Sequence, residues 1–479
     1  MTGRKKEIQE LNDLYNSNKA ELVAIYGRRR VGKTYLIDDT FKDRITFRHA
    51  GLSPSEQEKQ GLLKKQLEGF YYSLLRSGMH EKRRPKSWME AFFMLETYLD
   101  AINDGSRQLI FIDELPWLDT PRSGFMTAFE SFWNGWACFH NNVMVIVCGS
   151  ANSWILDNLI NNHGGLYNRV TYEIKLMPFT LHECELFFRD KGINLSRYDI
   201  VQSYMAVGGI PYYLGYFRRD YSLAQNLDFL FFSSKAKFHD EFNRLFDSIF
   251  DRPEIMKTIV RKLYTKRSGF SRGELLEALK ITEGETLSKS LNALVTSEFV
   301  IKYVPFGSKG NDSHYKLIDP FCLFYLHFVE KLNTINDEGY WLQNIETQAV
   351  KSWRGLAFEI VCFNHIPQIK NALGISGVST TQSAWTKKPD DTDGMQIDLI
   401  LSRRDNIINL CEIKYYNDLF CVDYEYYRVI LRRENGISEL LPMTSAVHST
   451  LITTFGLAHN KYSGVFTNVI TMEELFREQ

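Results

Sequence analysis

One short stretch, residues 22–34 (LVAIYGRRRVGKT), constrains this chain more than any other. The apolar run from Leu22 to Tyr26 predicts a buried strand. The residues from Gly27 to Thr34 then match G-x-x-x-x-G-K-[ST] in full. Glycine lacks a Cβ and permits a tight loop, whose N–H groups and following helix N-terminus face a phosphate chain. The stretch therefore predicts an α/β nucleotide-binding domain.

Each part of this loop has a predicted role. Lys33 would reach the β- and γ-phosphates, and the Thr34 hydroxyl would ligate Mg²⁺. The residues predicted to bind the nucleotide are Gly27, Arg28, Arg29, Arg30, Val31, Gly32, Lys33 and Thr34.

A second apolar run ends in two carboxylates. Residues 108–114 read QLIFIDE, which predicts a buried parallel strand that places Asp113 and Glu114 at its carboxyl end. Asp113 would hold Mg²⁺ through a water, and Glu114 would orient and deprotonate the attacking water. A third buried strand, residues 143–150, ends in a polar residue. Either Ser150 or Asn152 would sense the γ-phosphate, although a helix cap is an equally natural role there.

A glycine-containing segment, residues 164–169 (GGLYNR), precedes a predicted strand from Val170 to Leu176. Arg169 would either reach a γ-phosphate, in its own or a neighbouring subunit, or be a surface arginine. The first alternative makes a homo-oligomer a possible assembly.

These motifs, taken in order, resemble the archaeal-type ATPase family, within the STAND class of AAA-like NTPases. The similar segments are residues 3–8 (GRKKEI), 27–34, 112–114, 149–150, 166–169 and 208–213 (GGIPYY), so that the resemblance covers about residues 1–250. It implies ATP as the nucleotide. The family usually has glycine where this chain has Asn168.

Helical patterns surround the predicted core. An amphipathic helix is expected from Gly3 to Tyr15, with Arg4 to Glu7 on its solvated face; a role for Arg4 at the nucleotide base is the alternative. Further helices are predicted at 181–191, 197–207 and 221–250. The Gly208-Gly209 break suits either a hinge before a helical lid or an ordinary loop. The predicted boundaries are 1–207 for the ATPase core and 208–250 for the lid.

Residues 251–320 have the pattern of a winged helix-turn-helix. Three helices are expected, the second beginning with a capping box at Ser271 and Glu274, followed by two short strands. Lys289 is the only basic residue in the recognition-helix position, 286–298. The module therefore contacts either DNA or protein. Residues 321–349 are expected to be a packed helical connector.

Three carboxylates and a lysine mark the last predicted domain, residues 350–479. Asp398 lies in one predicted strand, and Glu412 and Lys414 lie in the next, where alternation places them on one face. A hairpin would place Asp398 beside Glu412, and Glu359 on the preceding helix would complete a cage for Mg²⁺ or Mn²⁺. The alternative is a plain Glu-Lys ion pair with a solvated Asp398.

This pattern resembles the PD-(D/E)xK nuclease superfamily, in the form seen at the C-terminus of the same ATPase family. The resemblance implies a nuclease-like α/β domain. Ile397 stands where the proline of the superfamily's name is expected. Two nearby basic groups, Lys387-Lys388 and Arg428 with Arg432 and Arg433, would either meet phosphates or pair with local acids.

The numbers of charged residues and cysteines limit the partners that the chain can have. It has 57 basic and 58 acidic residues, which argues against nucleic-acid binding over its whole surface but permits a local basic face. Its seven cysteines show no zinc-ligand spacing, and no apolar run approaches a membrane span. We therefore expect a cytoplasmic multidomain α/β ATPase with ATP, Mg²⁺ and DNA as partners. It is either coupled to a nuclease or acts as a switch or DNA-binding regulator on a non-catalytic scaffold.

Overall fold

A computed structural model describes residues 2–53, 61–150, 152–161, 165–166, 168–281, 284–308, 312–332, 339–387 and 395–478. The chain folds into two compact units, residues 1–177 and 178–479. The predicted finer boundaries at 207, 250, 320 and 349 remain predictions.

The first unit is built on a parallel five-stranded sheet. Its strands are β1 (Glu21–Tyr26), β2 (Ile45–Ala50), β3 (Gln108–Asp113), β4 (Val143–Gly149) and β5 (Tyr172–Lys175). Their order across the sheet is β2-β3-β4-β1-β5, so that β1 lies between β4 and β5. Every residue of β1, β3 and β4 is buried, as expected of central parallel strands. The predicted α/β fold class of this unit is confirmed.

Helices cover this sheet. They are α1 (Lys5–Tyr15), α2 (Lys33–Phe41), α3 (Leu62–Arg76), α4 (Trp88–Ala101), α5 (Phe125–Gly135) and the short α6 (Asn152–Ile155), which continues as one π-helical turn to Ile160. A cluster of aromatic rings joins α3, α4 and α5. Phe92 stacks on Phe132 with ring centres 5.1 Å apart, and Trp88 meets Phe125 edge-on at 5.0 Å.

The second unit begins with helices. They are α7 (Leu181–Asp190), α8 (Arg197–Val207), α9 (Pro211–Leu214), α10 (Leu223–Leu227) and α11 (Glu241–Ile249). The Gly208-Gly209 turn is tightly packed. A Cβ on Gly209 would lie 1.9 Å from the Phe179 carbonyl oxygen, and Phe179 N donates to Gly209 O at 2.6 Å. The turn thus lies within the second unit.

The single helix predicted over 221–250 is wrong. After α10 the chain forms a π-helical turn, Asp228–Phe232, and doubles back before α11 begins at Glu241. The return lets the Phe238 ring pack on Phe231, 5.3 Å between centres, while Phe238 N donates to Leu230 O. Burial of these rings outweighs the local helical preference of the segment.

Three helices and a small antiparallel sheet follow. They are α12 (Pro253–Tyr264), β6 (Phe270–Ser271), α13 (Arg272–Leu279), α14 (Gly284–Thr296), β7 (Val300–Tyr303) and β8 (His314–Leu317), with β8 central. The predicted capping box is present, because Ser271 accepts from Glu274 N and Glu274 accepts from Ser271 N. We call residues 253–317 the hairpin module.

The remainder contains a mixed five-stranded sheet. The helices are α15 (Pro320–Phe324), extended by a π-helical turn to Val329, α16 (Tyr340–Asn344), α17 (Gln348–Asn364), α18 (Ile366–Ala372), α19 (Tyr424–Ser438) and α20 (Met472–Leu475). The strands are β9 (Thr380–Lys387), β10 (Met395–Arg403), β11 (Ile407–Lys414), β12 (Ala446–Thr453) and β13 (Asn468–Thr471). They lie side by side from β9 to β13. β9, β10 and β11 are antiparallel, whereas β11, β12 and β13 are parallel.

No helix in the described ranges has the length and apolar character needed to cross a membrane.

Candidate functional site

The loop after β1 has the backbone that a phosphate-binding loop requires. Gly27 has a φ of +151°, and a Cβ there would lie 2.3 Å from the Leu176 carbonyl oxygen, so that only glycine fits. Gly32 has a φ of +95° and precedes α2 without a side-chain cap. The first N–H groups of α2 are therefore directed out of the helix end, where an anion can accept their hydrogen bonds.

Lys33 is buried at the start of α2. Its ammonium donates to the carbonyl oxygens of Gly27 at 2.8 Å and Arg28 at 3.1 Å. Burial lowers the pKa of Lys33, and the nearby charges of Glu114 and Asp113 oppose that effect. A buried cation held mainly by carbonyl oxygens is suited to accept a phosphate anion in their place.

Asp113 stands opposite this helix at the end of β3. It accepts a hydrogen bond from the Thr34 hydroxyl at 2.8 Å and another from the Cys148 thiol at 2.6 Å. Burial, together with the charge of Asp113, raises the pKa of the Cys148 thiol, which keeps the proton that it donates. The hydroxyl and carboxylate form an oxygen donor set of the kind Mg²⁺ prefers. These residues fit an ATP–Mg²⁺ complex.

Glu114 is held at the end of the neighbouring strand β4. Its Oε2 accepts from Ser150 N at 3.1 Å and from the Ser150 hydroxyl at 3.0 Å. The backbone of Glu114 is left-handed, with a φ of 47°. Ser150, which was predicted to sense the γ-phosphate, thus contacts Glu114, the predicted general base, directly.

The other predicted residues of this site are spread along the loop and beyond. Arg28 and Val31 are buried, Arg29 lies over the Trp117 ring at 5.8 Å, and Arg30 has a left-handed backbone. Arg169 lies in an exposed turn, and its N–H donates to Leu166 O at 3.0 Å. Gly164 and Tyr167 of that motif lie outside the described residues, as does the Asn152 side chain.

The burial of Arg4 contradicts the prediction that its side chain is solvated. Arg4 is only 3% exposed and has a left-handed backbone, φ 59°. Its guanidinium donates to Met177 O at 2.5 Å and Val31 O at 3.4 Å, and so ties the N-terminus to the phosphate-binding loop. The amphipathic pattern could not reveal this, because Arg4 immediately precedes α1. Cys148 was also missed, although it lies two residues before Ser150 on a buried strand.

Two of the three carboxylates predicted in the C-terminal region, Asp398 and Glu412, are brought opposite each other by the β10–β11 pairing. Leu399 pairs with Cys411, so Asp398 and Glu412 are the next residues along the two strands. Glu412 Oε1 lies 2.9 Å from Lys414 Nζ on the same strand. Glu359, on α17, is buried and lies 3.7 Å from Lys316 Nζ, which β8 of the hairpin module contributes. Lys316 was not predicted.

The protonation of these carboxylates differs. Burial raises the pKa of Glu359 to about 7, and the charge of Asp398 adds to the effect. Burial also acts on Glu412, but Lys414 and Arg433 outweigh it and hold its pKa below the usual value. Glu412 further accepts hydrogen bonds from Tyr426 Oη and Arg433 Nη1. The contact of Arg433 agrees with the predicted alternative of pairing with a local acid, whereas Tyr426 is a contributor that was missed.

The fit to a metal ion is partial. Within the described part of the chain, Glu359 Oε2 accepts no hydrogen bond, and a buried carboxylate oxygen of this kind suits a cation. Among the same residues, no group of three or more His, Cys, Asp or Glu side chains lies close enough to hold a metal. The structure therefore does not gather Glu359, Asp398 and Glu412 into one cage. Lys388 lies outside the described residues.

The fold and the loop define the first unit as a P-loop NTPase core. Residues 1–217 match the family described as an ATPase domain predominantly from Archaea.

Two relatives come from Methanocaldococcus jannaschii. The uncharacterized protein MJECL04 is 23% identical over 463 residues, which cover 90% of this chain and 97% of the relative. The uncharacterized ATP-binding protein MJ0423 is 59% identical over 34 residues, 7% of this chain and 58% of that protein.

Solved structures similar to the chain include two archaeal proteins. The Walker-type ATPase PABY2304 of Pyrococcus abyssi has a TM-score of 0.47 and 18% identity, covering 68% of this chain and 96% of that one. The ORC2 protein of Aeropyrum pernix has a TM-score of 0.39 and 13% identity, covering 68% and 93%.

Proposed function

We propose that this protein is an ATP-hydrolysing switch whose C-terminal region cleaves phosphodiester bonds in DNA. In the first unit, Lys33 binds the β- and γ-phosphates, and Thr34 with Asp113 would hold Mg²⁺. The ion, when bound, supplies charge neutralisation on the phosphates. The contact that best supports hydrolysis is the pair of Ser150 hydrogen bonds to Glu114, 3.1 and 3.0 Å long.

That contact supports a mechanism for the two residues. Glu114 is the general base. In the absence of a nucleotide, Ser150 holds the Glu114 carboxylate at the end of β4. Arrival of a γ-phosphate gives the Ser150 hydroxyl an alternative acceptor, so that Glu114 Oε2 keeps only the hydrogen bond from Ser150 N and can take the proton of the attacking water. Arg169, exposed on its turn, is proposed to approach the γ-phosphate from the same or a neighbouring copy.

The nuclease assignment rests on the C-terminal strand pair. Asp398 and Glu412 are adjacent across β10 and β11, and Lys414 lies beside Glu412. Because the described residues do not gather Glu359, Asp398 and Glu412 into one cage, the proposal requires these carboxylates to close around Mg²⁺ or Mn²⁺, which when bound would activate water and stabilise charge on a phosphodiester. Lys414 orients the attacking water or neutralises the phosphate.

The hairpin module is proposed to be a winged helix that connects the two activities. Its three helices and its antiparallel strands have the order expected for that fold. Lys316 of β8 contacts Glu359, and Phe306 N donates to Ala384 O of the edge strand β9 at 2.8 Å. A shift of the module would therefore change the surroundings of a proposed catalytic carboxylate.

The test is a cleavage assay with purified full-length protein. Wild type, Lys33→Ala and Glu412→Ala are incubated with Mg²⁺ or Mn²⁺, with and without ATP, on single-stranded, duplex and branched DNA. Glu439→Ala is the control, because Glu439 is an exposed carboxylate at the C-terminal end of α19. Cleavage that Glu412→Ala abolishes and the control variant retains supports the nuclease, and a further loss of cleavage in Lys33→Ala supports ATP control.

The contacts of Glu412 favour a second candidate, an ATP-driven switch or DNA-binding regulator with a non-catalytic C-terminal scaffold. Lys414 and Arg433 already neutralise Glu412, so that its ion pairs are complete without a metal. ATP turnover that depends on Lys33, without cleavage of any substrate, would favour this candidate.

A further inference from the structure

A group of tyrosines lies at the N-terminal end of α19 and on the segments beside it. Tyr424 is 52% exposed and Tyr416 is 48% exposed, whereas Tyr427 and Tyr462 are half-buried. The Tyr462 ring lies 5.8 Å from Tyr424 and 5.5 Å from Tyr427, between ring centres. Tyr416 contacts Phe420, which packs against the same buried cluster as Tyr427 and Tyr462. We call these four tyrosines, with Arg428 and Lys461, the tyrosine patch.

Cations accompany the rings of the patch. Arg428 Cζ lies 5.7 Å from the centre of the Tyr424 ring, and Lys461 Nζ lies 4.8 Å from that of Tyr462. Glu425 is 4.0 Å from Arg428, but both side chains are exposed, and such pairs contribute little. The guanidinium can therefore exchange this partner for a phosphate. Aromatic faces interleaved with positive charges suit a ligand that carries both flat rings and anions.

The patch is continuous with the proposed nuclease site. The Tyr416 ring lies 5.9 Å from Phe420, and Phe420 lies 5.4 Å from Tyr426. Tyr426 in turn donates to Glu412, and Lys414 Nζ lies 5.4 Å from the Tyr426 ring. A row of rings thus leads from solvent to the carboxylate.

The hydrophobic core beneath does not account for the exposed rings. The buried residues there are Val422, Ile430, Leu451 and Phe466, and Tyr427 and Tyr462 only pack against their edge. Tyr416 and Tyr424 leave about half of their surface in water. Aromatic surface of this kind, next to cations, indicates a binding site rather than a core contact.

We propose that the tyrosine patch binds single-stranded polynucleotide and leads it to Glu412, an inference that rests on the proposed C-terminal function. Bases would stack on Tyr424 and Tyr416, and phosphates would lie against Arg428 and Lys461. Bases within a duplex are stacked on one another and cannot present their faces to these rings, so single strands are selected.

The test measures binding without metal or ATP, so that cleavage plays no part. Fluorescein-labelled 20-nucleotide single strands of dT and rU and a 20-base-pair duplex are titrated with full-length protein, followed by anisotropy. We expect a single strand, of DNA or RNA, to bind at least tenfold more tightly than the duplex. Tyr424→Ala should weaken single-strand binding about tenfold through the loss of one base stack. Arg428→Gln should reduce the slope of log K against log salt by about 0.7.

Tyr72→Ala is the matched control. Tyr72 is 42% exposed and has Arg84 5.8 Å from its ring centre, but it lies on α3 in the first unit. The proposal is overturned if duplex binds as tightly as single strands, or if Tyr72→Ala weakens binding as much as Tyr424→Ala.

A parallel cleavage assay separates this proposal from the nuclease. Single-strand binding that Tyr424→Ala weakens, without cleavage in Mg²⁺ or Mn²⁺, supports the patch and contradicts the nuclease. Cleavage of duplex that is lost in Glu412→Ala, with no preference for single strands, supports the nuclease and overturns the patch.

Discussion

Replacing Glu359 by glutamine should remove a large part of the pH dependence of folding stability. Burial, with the charge of Asp398, raises the pKa of Glu359 from 4.5 to about 7. Between pH 4.5 and about 7, Glu359 therefore keeps its proton in the folded state, whereas it has released the proton in the unfolded chain. The stability associated with this proton is fully present below pH 4.5 and is lost as the pH rises through 7.

The magnitude follows from the pKa values. At about 1.4 kcal/mol for each pKa unit, the change from 4.5 to about 7 corresponds to about 3 kcal/mol. Wild type should thus lose about 3 kcal/mol more unfolding free energy between pH 4.5 and pH 8 than Glu359→Gln, which cannot ionise. Asp398→Asn should give an intermediate loss, because it removes one like charge near Glu359.

The assay is urea unfolding followed by tryptophan fluorescence at several pH values. Trp353 is buried on the same helix as Glu359 and reports its surroundings. Glu346→Gln is the control, since Glu346 is an exposed carboxylate paired with Lys351 at 3.5 Å, and its pH profile should match wild type. Identical pH profiles for wild type and Glu359→Gln would refute the reasoning.

Three further predictions concern the ATPase site. Lys33→Ala should lower ATP affinity at least about hundredfold in a fluorescent-nucleotide titration, because it removes charge-assisted contacts to phosphate; retained affinity would contradict its role. Glu114→Gln should reduce phosphate release by about 10²- to 10⁴-fold while ATP affinity stays within about twofold, and unchanged turnover would exclude it as the base. Arg4→Met should lower stability by about 1–3 kcal/mol in urea unfolding, since the buried Val31 carbonyl oxygen and the part-buried Met177 carbonyl oxygen lose a charged donor. Lys5→Met, at the exposed neighbouring residue, serves as its control. Equal losses of unfolding free energy in the two variants would contradict the stabilising role of the Arg4 hydrogen bonds.

Much of the first unit could be predicted because its signals are local. The buried strands ending at Tyr26, Asp113 and Gly149 are continuous apolar runs, and the Gly-Lys-Thr loop follows from residues adjacent in sequence. Strand β2 was not predicted, because its sequence, ITFRHA, mixes charged and apolar residues at a less buried edge.

The contacts that escaped prediction join residues distant in sequence. Lys316 and Glu359 are 43 positions apart in sequence, and Arg433 and Glu412 are 21 positions apart. Period-2 alternation placed Glu412 and Lys414 on one face, and their 2.9 Å contact agrees. No local pattern, however, tells which cation will neutralise a buried carboxylate. The roles of the predicted site residues remain predictions until variants are measured.

The contacts between the hairpin module and the C-terminal sheet determine which fragments of this protein can fold alone. Excision at residue 350, the boundary suggested by sequence, would remove Lys316 from Glu359 and Phe306 from the edge of β9. The fragment would keep a buried carboxylate without its counter-ion and expose a strand edge that invites self-association. The hairpin module therefore belongs to any functional fragment, and because Leu181 N donates to His365 and Arg197 pairs with Glu473, recombination between relatives should exchange the whole unit 178–479 as a single piece.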